Sequence, residues 1–96
     1  MKSPLIIGNW KSHKKKEDVQ AWFANILVQE VRGSSAEVIL CPPMPLLPLC
    51  KELIVHHQLN WRLGAQDVSS FPEGKYTGET NASLMREFAD YVLIGH

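Results

Sequence analysis

The sequence predicts an α/β fold built on parallel strands. Three observations carry that expectation. Four short apolar runs, at residues 5–9, 37–41, 62–66 and 91–95, recur at close to the ~30-residue length of a strand–helix–strand unit. The first, second and fourth runs are nearly continuous in Val, Ile and Leu, as strands covered on both faces are. Between the runs lie segments whose apolar residues recur at helical spacing. Alternation of this kind gives parallel strands joined by helical crossovers. It does not fix strand order. Half of a (β/α)₈ barrel and part of an open, doubly wound sheet both fit.

The elements follow in order. Leu5-Ile6-Ile7-Gly8 forms the first strand and runs into Asn9-Trp10-Lys11. Val19, Trp22, Phe23, Ile26, Leu27 and Val31 then mark a helix, with Asp18 near its start and Gly33 just past its end. A second helix carries Leu46, Leu49, Cys50, Leu53 and Ile54 on one side. Pro45 and Pro48 fit only its first turn, where a missing N–H costs little. A third, shorter helix carries Leu84, Met85 and Phe88, with Thr80 or Asn81 as its N-cap. The link at 67–79 has no periodicity. At about 13 residues it exceeds the usual strand-to-helix connection of 2–6, and loops of that kind are often functional.

Ninety-six residues, 45% of them apolar, make one small domain or part of a larger one. The formal net charge of zero gives no global reason to expect nucleic acid or an anionic membrane as partner. Lys14-Lys15-Lys16 is offset at once by Glu17 and Asp18 and reads as a solvated helix entrance. No apolar stretch approaches the ~20 residues that span a bilayer. The opening Met1-Lys2-Ser3-Pro4 has no signal-peptide layout. A cytoplasmic protein is expected, with Cys41 and Cys50 as reduced, buried thiols.

In parallel-strand folds, chemistry is placed at the C-terminal strand ends. Asn9 and Lys11 sit at the first such end and His96 at the fourth. If the extended backbone persists, Asn9 and Lys11 point one way and Trp10 the other. A fixed Lys charge suits an oxygen that becomes negative during reaction, and imidazole transfers protons near neutral pH. An exposed loop Lys and a packing His are the plainer alternatives. His56-His57 reads as a charge complement to a helix C-terminus, with no further metal ligands nearby. Gly74-Lys75 is followed by Tyr76 where a phosphate-binding loop needs Ser or Thr, and no G-x-G-x-x-G occurs.

Four segments together go further. Gly8-Asn9-Trp10-Lys11 resembles the opening signature of the triosephosphate isomerase family. Gly64-Ala65-Gln66-Asp67-Val68-Ser69 resembles the end of that family's third strand. Tyr76-Thr77-Gly78-Glu79 resembles the tip of its long interface loop. Tyr91-Val92-Leu93-Ile94-Gly95-His96 resembles its fourth strand. The resemblance implies that residues 1–96 are the N-terminal half of a single TIM (β/α)₈-barrel domain, truncated after the fourth strand. It implies interconversion of dihydroxyacetone phosphate and glyceraldehyde 3-phosphate through an enediolate, with no metal or organic cofactor. Asn9 and Lys11 would bind substrate, and Lys11 and His96 would be catalytic, His96 as the electrophile. Gln66 would support the barrel mouth. Thr77 would reach into the partner subunit of a homodimer.

Ser12-His13 departs from the family's usual residues where the partner's loop packs. The family's second half supplies the glutamate base, the lid and the phosphate-binding loops. Glu73 and Glu79, both on the interface loop, cannot replace that base. The 96 residues alone are therefore expected to be inactive and to self-associate or stay loosely packed. The alternatives are a noncatalytic half barrel that pairs with a complementary half, and a small phosphate-binding α/β module.

Overall fold

The computed structural model describes residues 4–28 and 36–96. The expected helical position Val31 and the expected terminator Gly33 lie outside the described residues. Four strands, β1 (Leu5–Asn9), β2 (Glu37–Cys41), β3 (Arg62–Ala65) and β4 (Tyr91–Val92), form one sheet in the order β1-β2-β3-β4. Every pairing is parallel. The order is sequential and never reverses, so within this span the sheet is not doubly wound. Each strand is laid beside the one before it, as barrel winding requires.

The helices form where the sequence signals place them. α1 (Lys16–Val28) begins after Lys15, whose N–H donates to Asp18 Oδ2 at 2.9 Å. That is the reach-back half of a capping box. Val19 and Phe23 from α1 are fully buried. A 3₁₀ turn (Met44–Leu46) leads into α2 (Leu47–His56) and takes Pro45, while Pro48 falls in the first turn of α2. Leu46, Leu47, Cys50 and Ile54 enter the core, with Leu49 and Leu53 packed at its edge. They meet Val19, Phe23, Leu40, Leu63 and Ala65. The core therefore lies between the helices and one face of the sheet.

α3 (Ala82–Met85) is capped by Asn81, whose Oδ1 accepts from Leu84 N at 2.8 Å. Of the three expected core residues on this helix, only Met85 is buried. Leu84 is exposed, and the exposed Phe88 lies beyond the helix end. The expectation of a Leu84–Met85–Phe88 face is corrected to Met85 together with Ala89. Four residues make a single turn, too short to present an apolar stripe.

Three strand expectations also change. β3 ends at Ala65, one residue before Gln66. β4 covers only Tyr91–Val92, although Leu93 N still donates to Ala65 O at 2.9 Å. Beyond it the chain turns at Gly95, whose φ is +79°. Finally, the continuous apolar run of β1 was expected to be covered on both faces. Leu5, Ile6 and Ile7 are instead about half exposed. β1 and β4, whose run was expected to be covered as well, are the edge strands of this sheet, whereas β2 and β3, inside it, are buried along most of their length.

The long link at 67–79 has no regular element but is held by its own contacts. Ser69 N donates to Thr80 O across its base at 2.8 Å. Phe71 and Tyr76 stack with ring centroids 4.5 Å apart and planes within 11°.

Candidate active site

Parallel alignment brings all four strand C-termini to one end of the sheet. There a cleft of about 520 Å³ is lined by Asn9, Lys11, Ser12, Gln66, Asp67, Leu93, Gly95 and His96. The residues singled out at the first and fourth strand ends thus share one hollow, although they are far apart in the chain. Thr77 lies elsewhere, exposed on the 67–79 loop. Asp67, read from sequence only as the start of that loop, is the one carboxylate lining the cleft among the described residues. A second hollow of about 520 Å³ lies at the opposite, N-terminal end of β3, between α2 and residues 86–90. None of the strand-tip residues reaches it.

The tip of β1 does not stay extended. Lys11 has φ +55°, a left-handed conformation that costs a non-glycine residue roughly 1–2 kcal/mol. The expected Asn9/Lys11 alternation therefore fails at Lys11, yet both residues still line the cleft. The cause is local. Asn9 Oδ1 accepts from Lys11 N at 2.9 Å, a side-chain turn of the kind Asn favours. Gln66 Nε2 donates to Lys11 O at 2.7 Å and to Cys41 O at 2.9 Å. Trp10 N donates to the same Cys41 carbonyl at 3.1 Å. The ends of β1, β2 and β3 are joined through these bonds.

Trp10 turns toward the helices, as alternation predicts. It packs edge-to-face on Trp22 of α1, centroids 5.1 Å apart. Lys14 Nζ lies 5.1 Å from the Trp10 ring centroid, a cation–π contact. Lys14, at φ +84°, is thus drawn back over the strand tip rather than simply solvated with its neighbours.

Chemically, beside the Asp67 carboxylate the cleft offers one ammonium, one imidazole, the Ser12 hydroxyl and the NH₂ of Asn9, whose carbonyl oxygen is already engaged. These groups suit an oxygen-rich anionic ligand. The thiols are not part of it. Cys41 and Cys50 are free and buried, and burial raises both pKa values, that of Cys50 to about 12. Unreactive core thiols follow, as the sequence implied.

The triosephosphate isomerase family profile matches residues 4–96. A triosephosphate isomerase of Coxiella burnetii (strain Dugway 5J108-111) is 40% identical over 94 residues, which covers 97% of this chain and 36% of that protein. Those of Thermus thermophilus and Psychromonas ingrahamii are 37% and 38% identical over 97 residues, in each case all of this chain and 38% of the relative. The chain thus spans well under half the length of these relatives, and its consecutive parallel strands correspond to part of a TIM barrel. With this match over nearly all of its residues, the chain belongs to the triosephosphate isomerase family.

Proposed function

We propose that the protein carrying this chain interconverts dihydroxyacetone phosphate and glyceraldehyde 3-phosphate, the isomerisation step of glycolysis and gluconeogenesis. One observation carries the reading: Asn9, Lys11 and His96 line one cleft although they come from the two edge strands. In the proposed reaction a base removes a proton next to the substrate carbonyl. The electron pair moves onto the carbonyl oxygen and an enediolate forms. Lys11 opposes that negative charge, and the His96 imidazole donates a hydrogen bond to the same oxygen. Asn9 uses its carbonyl oxygen to orient Lys11 and keeps its NH₂ as a donor toward substrate.

Residues 1–96 are read as the N-terminal half of the barrel domain, and the base is assigned to the length of the relatives not matched here. On that reading the 96 residues alone do not turn over triose phosphate at an enzymatic rate. The loop at 67–79, stiffened by its aromatic stack, presents Thr77 to a partner subunit in a homodimer. No helix among the described residues is long and apolar enough to cross a membrane, which fits a cytoplasmic setting.

A coupled assay on the full-length gene product and its Lys11→Met variant tests the reading. Met keeps most of the volume of the side-chain stem and the same left-handed backbone constraint but removes the charge. A drop of about 100-fold or more in kcat/KM is expected, the scale of losing one preorganised oxyanion partner. The urea midpoint should hardly move. An unchanged kcat/KM removes Lys11 from the site.

A further inference from the structure

We propose that Gln66 is a positioning residue for Lys11, its side-chain amide holding the Lys11 backbone in the left-handed turn that brings the ammonium to the cleft. The inference rests on the isomerase reading of the same cleft.

Four bonds meet at this point. Trp10 N is fixed on the Cys41 carbonyl, and Lys11 N on Asn9 Oδ1. The Lys11 carbonyl is held by Gln66 Nε2. The other N–H of that NH₂ goes to the Cys41 carbonyl. Cys41 is almost wholly buried at the end of β2, so it is a rigid anchor. Gln66 ties Lys11 to it across three strands.

The orientation of the Gln66 amide is fixed by chemistry. Two carbonyl oxygens face Nε2, and a flipped amide would set Oε1 against both. A left-handed lysine persists only where its neighbours hold it. Asn9 restrains one side of the residue and Gln66 the other. Removing Gln66 leaves the Lys11 carbonyl free to swing, and the side chain moves with the backbone.

Gln66→Glu gives a test with its own signature. A carboxylate cannot donate, and two carbonyl oxygens beside it oppose its ionisation. The protonated acid restores one of the two donors. The kcat/KM of Q66E, relative to the unsubstituted full-length gene product, is expected to be down by about 10- to 100-fold near pH 8, the scale of a displacement of about 1 Å at a catalytic group. It should recover several-fold as the pH is lowered to about 5.5. Gln66→Leu should lose a comparable factor without that recovery. A Q66E-to-unsubstituted ratio that is flat with pH overturns the inference, and this profile decides it even if Q66L fails to fold. Should the unsubstituted protein prove inactive on triose phosphates, the isomerase reading fails separately. The crystal structure of Q66E at pH 8 then decides the positioning role. Lys11 leaving its left-handed conformation supports it, and Lys11 keeping that conformation overturns it.

Discussion

Gly64 shows what a single absent side chain does for this sheet. A Cβ there would lie 2.7 Å from Cys41 Sγ and 3.2 Å from Ile39 Cγ2, both in β2. Tyr91, its partner in β4, passes over the vacant position, and its hydroxyl donates to Glu37 Oε1 of β2 at 3.1 Å. The hydrogen bond to that carboxylate raises the phenol pKa. Cys41 and Ile39 are only 1% and 3% exposed and have nowhere to retreat. Gly64→Ala should therefore cost about 1–3 kcal/mol, as overpacking a filled site does. A lower urea midpoint at unchanged slope would register it, and a midpoint equal to that of the unsubstituted protein would refute the close approach. At this scale the sequence shows chemistry better than conformation. The charge of Lys11 and the imidazole of His96 stand out because polar residues at apolar strand tips are conspicuous. The left-handed turn at Lys11 was not legible. Asn9 bonds it locally, but Gln66, which holds the Lys11 carbonyl, lies far along the chain, and no glycine marks the position.

The helices differ in how far their ends could be read. The start of α2 was legible from Pro48, which falls in its first turn, whereas Pro45, expected in the same turn, lies in the preceding 3₁₀ turn. Its end was legible from His56-His57, but the left-handed turn that closes it was not, because Gln58 occupies the position where glycine normally signals a stop. His57 caps the helix, and Gln58 follows at φ +55°. Gln58 N donates to Val55 O at 3.1 Å and Leu59 N to Ile54 O at 3.0 Å. This paired closure is a Schellman motif, whose left-handed position favours glycine. Gln58→Gly should relieve a left-handed cost of roughly 1–2 kcal/mol and add unfolded-state entropy of somewhat smaller size. A net gain of about 0.5–1 kcal/mol is expected in a urea or thermal melt. A loss of stability would mean that the Gln58 side chain contributes more than its backbone costs. The opposite failure occurs at α3. Its cap was narrowed to Thr80 or Asn81, of which Asn81 supplies it, but its length was not legible, since Leu84 and Phe88 imitate a continuing apolar stripe. In β4, Leu93 and Ile94 read as strand because they are apolar. Residue pairing with β3 nevertheless stops at Val92, the partner of Ala65, where β3 itself ends.

As a whole, the molecule is a plate, 45 × 37 × 21 Å, with helices packed on one face of the sheet. Its radius of gyration is 14.3 Å, against about 12.5 Å expected for a compact domain of this length. On the edge strand β1, Leu5, Ile6 and Ile7 are 56%, 52% and 48% exposed, and no charged residue interrupts them. Natural edges are normally blunted by charge, proline or a bulge. The continuous apolar runs read from sequence therefore describe a strand environment that these residues do not build among themselves. That is why the fold class was legible while the burial of β1 was not: the pattern records the strand's full set of neighbours. It also shapes what the 96 residues do when expressed alone. Leaving one apolar sheet face and two strand edges in water removes much of the burial that sustains a typical net stability of ~5–15 kcal/mol. The 96-residue chain should self-associate through β1 or remain loosely packed with a broad transition. Size-exclusion chromatography with light scattering, followed by a urea melt, would show this. A strictly monomeric species with one sharp cooperative transition would instead mean that the half-exposed β1 surface is tolerated, and the chain would then be a self-sufficient α/β module rather than half of a barrel.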